Sequence, residues 1–116
     1  MNFGQYIRTK RTLLQETVGH YSVRGLGTRL GIQPSYLSKV EREQVAPPSE
    51  ATIRRIAEEL NEDPDVLLAL AGKVSSDLRQ AIVKRPRLFA DLIRELKDLP
   101  DHAILRVVRE VRDGNW

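Results

Sequence analysis

Two short helical patterns separated by a very tight turn are the feature that most constrains the fold of this chain. The first pattern runs from about Val23 to Leu30. Gly31 follows directly, at a position where a left-handed backbone costs glycine little. Pro34 is tolerated at the first position of a helix and opens the second pattern, which ends near Arg42. Because only about three residues join the two helices, they are expected to cross each other in contact.

The rest of the sequence also shows helical periodicity. Apolar residues recur at steps of three and four from Phe3 to Leu14. No stretch alternates with the period of two that a strand needs, so the predicted fold is all-α. We expect a five-helix domain over 1–72 and a helical extension over 73–116. The later helices are expected after Ser49, from Pro64 to Gly72, from Ser75 to Lys84, from Pro86, and from Pro100 to Gly114.

Charge is distributed unevenly along the chain. Residues 1–45 carry seven Lys or Arg against three acids, residues 46–72 carry two against six, and residues 73–116 carry ten against seven. The basic N-terminal third favours a polyanionic partner through neutralisation of phosphates. The absence of cysteine excludes disulfides and thiolate metal sites. No apolar stretch approaches the roughly 18 residues of a membrane span, and we expect a cytoplasmic protein.

The two helices joined by the tight turn have an apolar side and a polar side. The apolar residues would fix the second helix across the first, as in a helix-turn-helix: Leu26, Leu30, Ile32, Leu37 and Val40. The major groove of DNA is about 12 Å wide and admits one helix, so the polar side is a candidate for contact with bases. The predicted base-reading residues are Gln33, Ser35, Tyr36 and Lys39. The predicted phosphate contacts around them are Ser22, Arg24, Arg29 and Arg42.

The stretch LGIQPSYLSKVERE, followed by PPSEATIRRIAEELNEDPDVLL, resembles the lambda-repressor-like, or Cro-type, xenobiotic-response-element family of bacterial and phage regulators. The resemblance covers about residues 3–71 and includes the turn glycine, the Pro-Ser-Tyr-Leu-Ser start of the third helix, a Glu-Arg pair and a later Ser-capped helix. It implies a five-helix DNA-binding domain whose third helix enters the major groove. It also implies that Glu41 pairs with Arg11 of the first helix in an architectural ion pair.

Three features depart from the family pattern. Glu43 stands where family members usually have a left-handed glycine, so this residue either tolerates strain or belongs to a different loop path. Gly25 and Gly27 each cost about 0.8–1 kcal/mol relative to alanine inside a helix. We expect Gly27 at a close approach of the two helices, and Gly25 to point outward without a physical reason. The connection at 15–22 is longer than usual and is expected to follow the DNA backbone or to wander.

The helices of the C-terminal extension carry broad apolar stripes. These stripes hold more apolar surface than two or three short helices can bury alone. Either they fold back on the first domain or they pair with another molecule. We favour a homodimer, because helix-turn-helix proteins commonly bind two half-sites about 34 Å apart. The expected interface residues are Leu88, Phe89, Leu92, Ile93, Leu96, Ile104, Leu105, Val108 and Val111.

The predicted function is sequence-specific binding of double-stranded DNA by a dimeric repressor that reads a palindromic operator, with no enzymatic activity and no cofactor. One alternative is an antitoxin or immunity-type regulator, whose C-terminal helices bind a second protein or are cut by a peptidase. Another is a protein-interaction module without DNA binding, supported only by Gly25, Gly27 and Glu43. A zinc site is not expected, because His20 and His102 lack partners at ligand spacing.

Overall fold

The computed structural model describes residues 1–116 and contains eight α-helices and no strand, which confirms the all-α prediction. The chain divides into two compact units, Met1–Ser75 and Ser76–Trp116. None of the helices is long and apolar enough to cross a membrane. The helices are α1 (Phe3–Thr17), α2 (Val23–Leu30), α3 (Pro34–Glu41), α4 (Glu50–Leu60), α5 (Pro64–Leu70), α6 (Ser76–Lys84), α7 (Pro86–Leu96) and α8 (Asp101–Asp113).

The division between the units lies slightly later than the boundary expected after residue 72. Lys73 is held in the first unit, because its Nζ donates a hydrogen bond to the carbonyl oxygen of Pro48 over 3.0 Å. The segment 73–75 therefore belongs to the first unit.

Local capping signals explain most of the helix bounds. Asn2 and Gln5 form a capping box at the start of α1, in which each side chain accepts a hydrogen bond from the backbone N–H of the other residue, over 2.9 and 3.4 Å. The hydroxyl of Ser49 accepts a hydrogen bond from the N–H of Thr52 at the start of α4. At the end of α4, Asn61 takes the left-handed conformation with a φ of 56°. These signals are local, which is why the sequence predicts them.

The first helix is longer than the predicted Phe3–Leu14. It continues to Thr17, whose hydroxyl donates a hydrogen bond to the carbonyl oxygen of Leu13 over 2.9 Å, and Val18 closes it with a backbone bond to Leu14. The added turn is exposed to solvent and has no apolar periodicity. Periodicity therefore could not reveal it, since the hydrogen bonds that hold this turn need no apolar side chain.

The core of the first unit is almost entirely aliphatic, as the composition predicts. Its one buried aromatic residue is Phe3. Four of the five residues expected to join the two helices of the tight turn are fully buried, and Ile32 is partly buried against them. The buried core residues are Phe3, Ile7, Leu26, Leu30, Leu37, Val40, Ile53, Ile56, Ala57, Leu60, Leu67 and Leu68.

At Gly4, the backbone of α1 packs directly against the backbone at the C-terminal end of α3. A Cβ atom at Gly4 would lie 2.6 Å from the carbonyl oxygens of both Val40 and Glu41. Side chains essentially never approach backbone oxygens this closely, so only glycine fits at this position. The contact fixes α1 directly against the C-terminal end of α3.

A polar cluster joins α1 to the connection between α4 and α5. The Tyr6 hydroxyl donates a hydrogen bond to Oε2 of Glu62 over 2.9 Å, and Nζ of Lys10 lies 2.9 Å from Oε1 of the same carboxylate. The hydrogen bond from Lys10 holds the pKa of Glu62 below its ordinary value, and the same bond raises the pKa of Lys10. Glu62 is therefore more easily ionised in the folded protein than in the unfolded chain.

This cluster predicts that the first unit loses stability in acid. Because folding lowers the pKa of Glu62, the ionised carboxylate stabilises the folded protein. This contribution to the free energy of unfolding is fully present above the ordinary pKa of 4.5 and is lost as the pH falls below it. Lowering the pH from about 6 to about 3 is expected to reduce the urea midpoint of the wild type more than that of Glu62→Gln, which keeps an acceptor for Tyr6 but does not titrate. Equal losses in the two proteins would contradict the prediction.

The second unit consists of α6, α7 and α8, and none of the residues in these helices is buried. Helices α6 and α7 pack together. The predicted interface residues on α7 and α8 are all partly or largely exposed, and Leu88 is the most exposed of them at 68%. The unit therefore presents apolar side chains that it does not cover itself.

Candidate nucleic-acid interface

The turn between α2 and α3 has the geometry that its glycines predict. Gly31 adopts a φ of 72°, and the N–H of Ile32 donates a hydrogen bond to the carbonyl oxygen of Gly27 over 3.0 Å. A Cβ atom at Gly27 would lie 3.1 Å from the Ile32 carbonyl oxygen and 3.5 Å from Pro34. Gly27 therefore lies at the close approach of the two helices that the sequence predicts.

Behind α3, a nearly buried ion pair joins this helix to α1. Nε and Nη2 of Arg11 donate hydrogen bonds to the two carboxylate oxygens of Glu41 over 2.7 and 2.9 Å, which is the pairing that the family resemblance implies. Nη1 of Arg11 donates a further bond to the carbonyl oxygen of Tyr21 over 3.1 Å. One guanidinium group therefore holds α1, α3 and the connection before α2 in fixed relation.

Glu43 keeps the left-handed conformation that family members usually give to glycine. Its φ is 57°, and its Oε1 accepts a hydrogen bond from the N–H of Gly4 over 2.7 Å. Left-handed backbone costs a residue with a Cβ about 1–2 kcal/mol. A carboxylate at the N-terminus of a helix is favourable, and here it accepts an N–H that the first turn of α1 leaves free. Of the two possibilities left open by the sequence, strain with a compensating bond is the one observed.

The long connection before α2 is folded back against that helix. Gly19 and His20 have φ values of 84° and 67°, and the N–H of Tyr21 donates a hydrogen bond to Oε1 of Gln15 over 2.6 Å. A Cβ atom at Gly25 would lie only 3.0 Å from the carbonyl oxygen of His20. The expectation that Gly25 points outward is therefore wrong, because this residue faces the folded connection and its small size permits the approach.

The predicted base-reading residues lie on and before the first turns of α3. Gln33 is the N-cap residue and its side chain makes no capping bond, while Ser35 and Lys39 are exposed. Tyr36 is half-buried, because its ring packs against the core. None of the four side chains makes a hydrogen bond within the chain, so their polar groups remain available to a ligand.

The predicted phosphate contacts have different surroundings. The Ser22 hydroxyl caps α2 by accepting a hydrogen bond from the N–H of Gly25 over 3.0 Å, and Arg24 is exposed and makes no ion pair. Arg42 is also exposed, and its Nε donates to the carbonyl oxygen of Ser38 over 3.3 Å.

Arg29 is used within the protein. Its Nε lies 2.9 Å from Oε2 of Glu59, and its Nη1 donates to the carbonyl oxygen of His20 over 2.6 Å. The guanidinium carbon also lies 4.7 Å from the centre of the Tyr21 ring. Its charge is therefore largely neutralised by groups of the same unit.

One exposed basic residue beside α3 has no role in the sequence prediction. Arg8 lines a cleft of about 220 Å³ together with Ser38 and Arg42 of the α3 end, and with the paired Arg11 and Glu41. The signal available in the sequence was its position three residues before Arg11, which places both on one side of α1.

These elements define a DNA-binding protein of the helix-turn-helix class, and so a transcriptional regulator. A family model described as helix-turn-helix matches residues 19–67, which span α2, α3, α4 and the first part of α5. This match supports the resemblance of the segment to the lambda-repressor-like, Cro-type helix-turn-helix family. No curated protein and no solved structure shows a significant match to the chain.

Proposed function

We propose that the protein is a dimeric repressor that reads a palindromic operator with α3. The observation that carries this proposal is the set of polar side chains on the outer side of α3, which have no partner within the chain while the helix itself is fixed from behind by the Arg11–Glu41 pair. A rigid helix with free donors and acceptors is suited to base recognition. Bound at a promoter in the cytoplasm, such a protein excludes the polymerase.

Each candidate side chain has a chemistry that fits a part of the duplex. Lys39 suits the acceptors of guanine, and Gln33 suits the paired donor and acceptor of adenine. Tyr36 suits a phosphate or a thymine methyl group, and Ser35 suits either a base or the backbone. The flanking phosphate contacts are proposed for Ser22, Arg24 and Arg42, with Arg29 contributing only if its pairing with Glu59 opens.

The dimer is proposed from the second unit. Ile93 of α7 and Val111 of α8 are 51% and 56% exposed, and most of the other stripe residues are also exposed, whereas Phe89, Leu96 and Ile104 are half-buried. A twofold pairing through these stripes would cover them and double the number of DNA contacts. Two copies of α3 would then bind half-sites about 34 Å apart.

The test is selection of bound sequences from a pool of random DNA duplexes, followed by binding at two salt concentrations near and above about 0.15 M. We expect recovery of one palindromic site whose two halves lie about one helical turn apart, and selective binding at the higher salt. The variant Ile93→Asp, which places a charge in the proposed interface, is expected to bind a single half-site more weakly. Recovery of no preferred sequence would contradict the proposal.

The two alternatives differ from this proposal in what is retained during purification and in the outcome of the DNA selection. A regulator of the antitoxin or immunity type would bind DNA through α3 but would retain a second protein on α7 and α8 during purification. A module without DNA binding would show no selection at all. The three residues that favoured the latter, Gly25, Gly27 and Glu43, each have an architectural reason in the structure, so they no longer support it.

A further inference from the structure

The cleft between α1 and the end of α3 has the composition of an anion site. It has a volume of about 220 Å³, is open to solvent and is lined by residues of α1 and of the C-terminal end of α3. Arg8 and Arg42 are exposed on its rim, and Ser38 is half-buried in it with a hydroxyl that makes no hydrogen bond within the chain. Donor groups from two different helices therefore face one concave surface.

The charges in the cleft do not cancel. Three arginines line it against one carboxylate, and that carboxylate is already bound by both nitrogens of Arg11. Arg8 makes no ion pair, and Arg42 uses only its Nε, toward the carbonyl oxygen of Ser38. Two guanidinium groups thus remain without a carboxylate partner. A guanidinium group offers a planar pair of donors that matches a phosphate.

We propose that Arg8 and Arg42 bind one phosphate of the DNA backbone from two sides, with the Ser38 hydroxyl as a third donor. This inference rests on the proposed DNA-binding function and adds α1 to the elements that contact the duplex. Because Arg8 lies on α1 and Arg42 directly follows α3, a phosphate held by both fixes the depth and register of α3 in the groove. Arg8 is a positioning residue and carries no sequence information.

The test measures binding of the full chain to a mixed-sequence duplex of about 30 base pairs by fluorescence anisotropy, from about 0.05 to 0.2 M salt. The variants are Arg8→Ala, Arg42→Ala, the double variant and Arg8→Lys, with Arg87→Ala as the matched control because Arg87 is an exposed arginine of the second unit. Each single alanine variant is expected to weaken binding about three- to tenfold at about 0.1 M salt, whereas the control is unchanged. Arg8→Lys keeps the charge and is expected to lose less.

The salt dependence distinguishes one shared phosphate from two separate ones. The slope of log K against log salt changes by about 0.9 for each phosphate that the protein no longer neutralises. The double variant is therefore expected to lower the slope by about 0.9, and a decrease of about 1.8 would overturn the shared phosphate. The weakening is also expected to be equal for all DNA sequences, and the urea midpoint is expected to stay unchanged.

Two further outcomes separate this inference from the proposed function. If the wild type binds DNA but Arg8→Ala behaves like Arg87→Ala, the role of Arg8 is wrong and the repressor proposal stands. If the wild type binds no duplex, both are wrong. Titration with inorganic phosphate tests whether the cleft binds only the free anion. If the double variant loses phosphate binding but binds DNA as tightly as the wild type, the inference is wrong.

Discussion

The variant Arg11→Met is expected to destabilise the first unit by about 3–5 kcal/mol, because it leaves the carboxylate of Glu41 nearly buried without its partner. Only 4% of the Glu41 side chain and 11% of the Arg11 side chain are exposed, so solvent cannot replace the missing pair. The variant also removes the donor to the carbonyl oxygen of Tyr21. The measurement is unfolding in urea followed by tyrosine emission, since all three tyrosines lie in the first unit.

Arg8→Met is the matched control for this prediction, because Arg8 lies on the same helix, is exposed and has no ion pair. Its cost is expected to stay within about 0.5 kcal/mol. The double variant Arg11→Met with Glu41→Leu removes both charges and is expected to recover much of the stability. The reason is that a buried ion pair stabilises a protein little more than a well-packed apolar pair does. A cost for Arg11→Met no greater than that for Arg8→Met would show that the pair is not needed for stability.

The elements that the sequence predicts well are those set by neighbouring residues. Gly31, Pro34 and Ser49 act within one turn of their own positions, so the bounds of α2 and the starts of α3 and α4 follow from local chemistry. The end of α1 is different, since its last turn has no apolar stripe, and the left-handed Gly19 that follows Val18 is the one local signal of where the helix ends. Its extension depends on backbone hydrogen bonds that any helix-compatible residue can make.

The contacts that the sequence could not predict join residues far apart in the chain. The bond between Glu43 and Gly4 spans 39 positions, and nothing local to either residue indicates it. Gly25 is explained only by the path of the connection that approaches it. The Arg11–Glu41 pair spans 30 positions and was accessible through the family resemblance, not from periodicity.

Ion pairs engage part of the charge in the first unit. Of the seven basic residues in 1–45, three are engaged by carboxylates: Lys10 by Glu62, Arg11 by Glu41, and Arg29 by Glu59. Two of these carboxylates belong to the acidic segment 46–72, which therefore serves to hold α4 and its C-terminal connection against the basic helices. The basic residues left without an ion pair are Arg8, Arg24, Lys39 and Arg42.

These four unpaired residues all belong to α1, to α2, or to α3 and the residue after it. The excess positive charge of the N-terminal third is therefore concentrated where a duplex would meet the reading helix. The charge counts alone could not show this, because they do not distinguish paired from unpaired side chains.

Removing the side chains of Gln33 and Lys39 is expected to have the largest effect on DNA binding. Each alanine variant should lose about 1–3 kcal/mol on the selected site, because each removes a candidate contact to a base edge. Both residues are exposed and make no hydrogen bond within the chain, so the urea midpoint should not change. Tyr36→Phe keeps the ring that packs on the core and tests the hydroxyl alone.

The decisive comparison is with Arg24→Ala, the matched variant at a proposed phosphate contact. It should weaken binding about equally on the selected site and on sites with one altered base pair, whereas Lys39→Ala should lose its preference at one position of each half-site. If Gln33→Ala and Lys39→Ala instead weaken all sequences equally, α3 contacts the backbone and sequence is read elsewhere. If neither variant changes affinity while the wild type still selects its palindrome, the outer side of α3 does not read the operator.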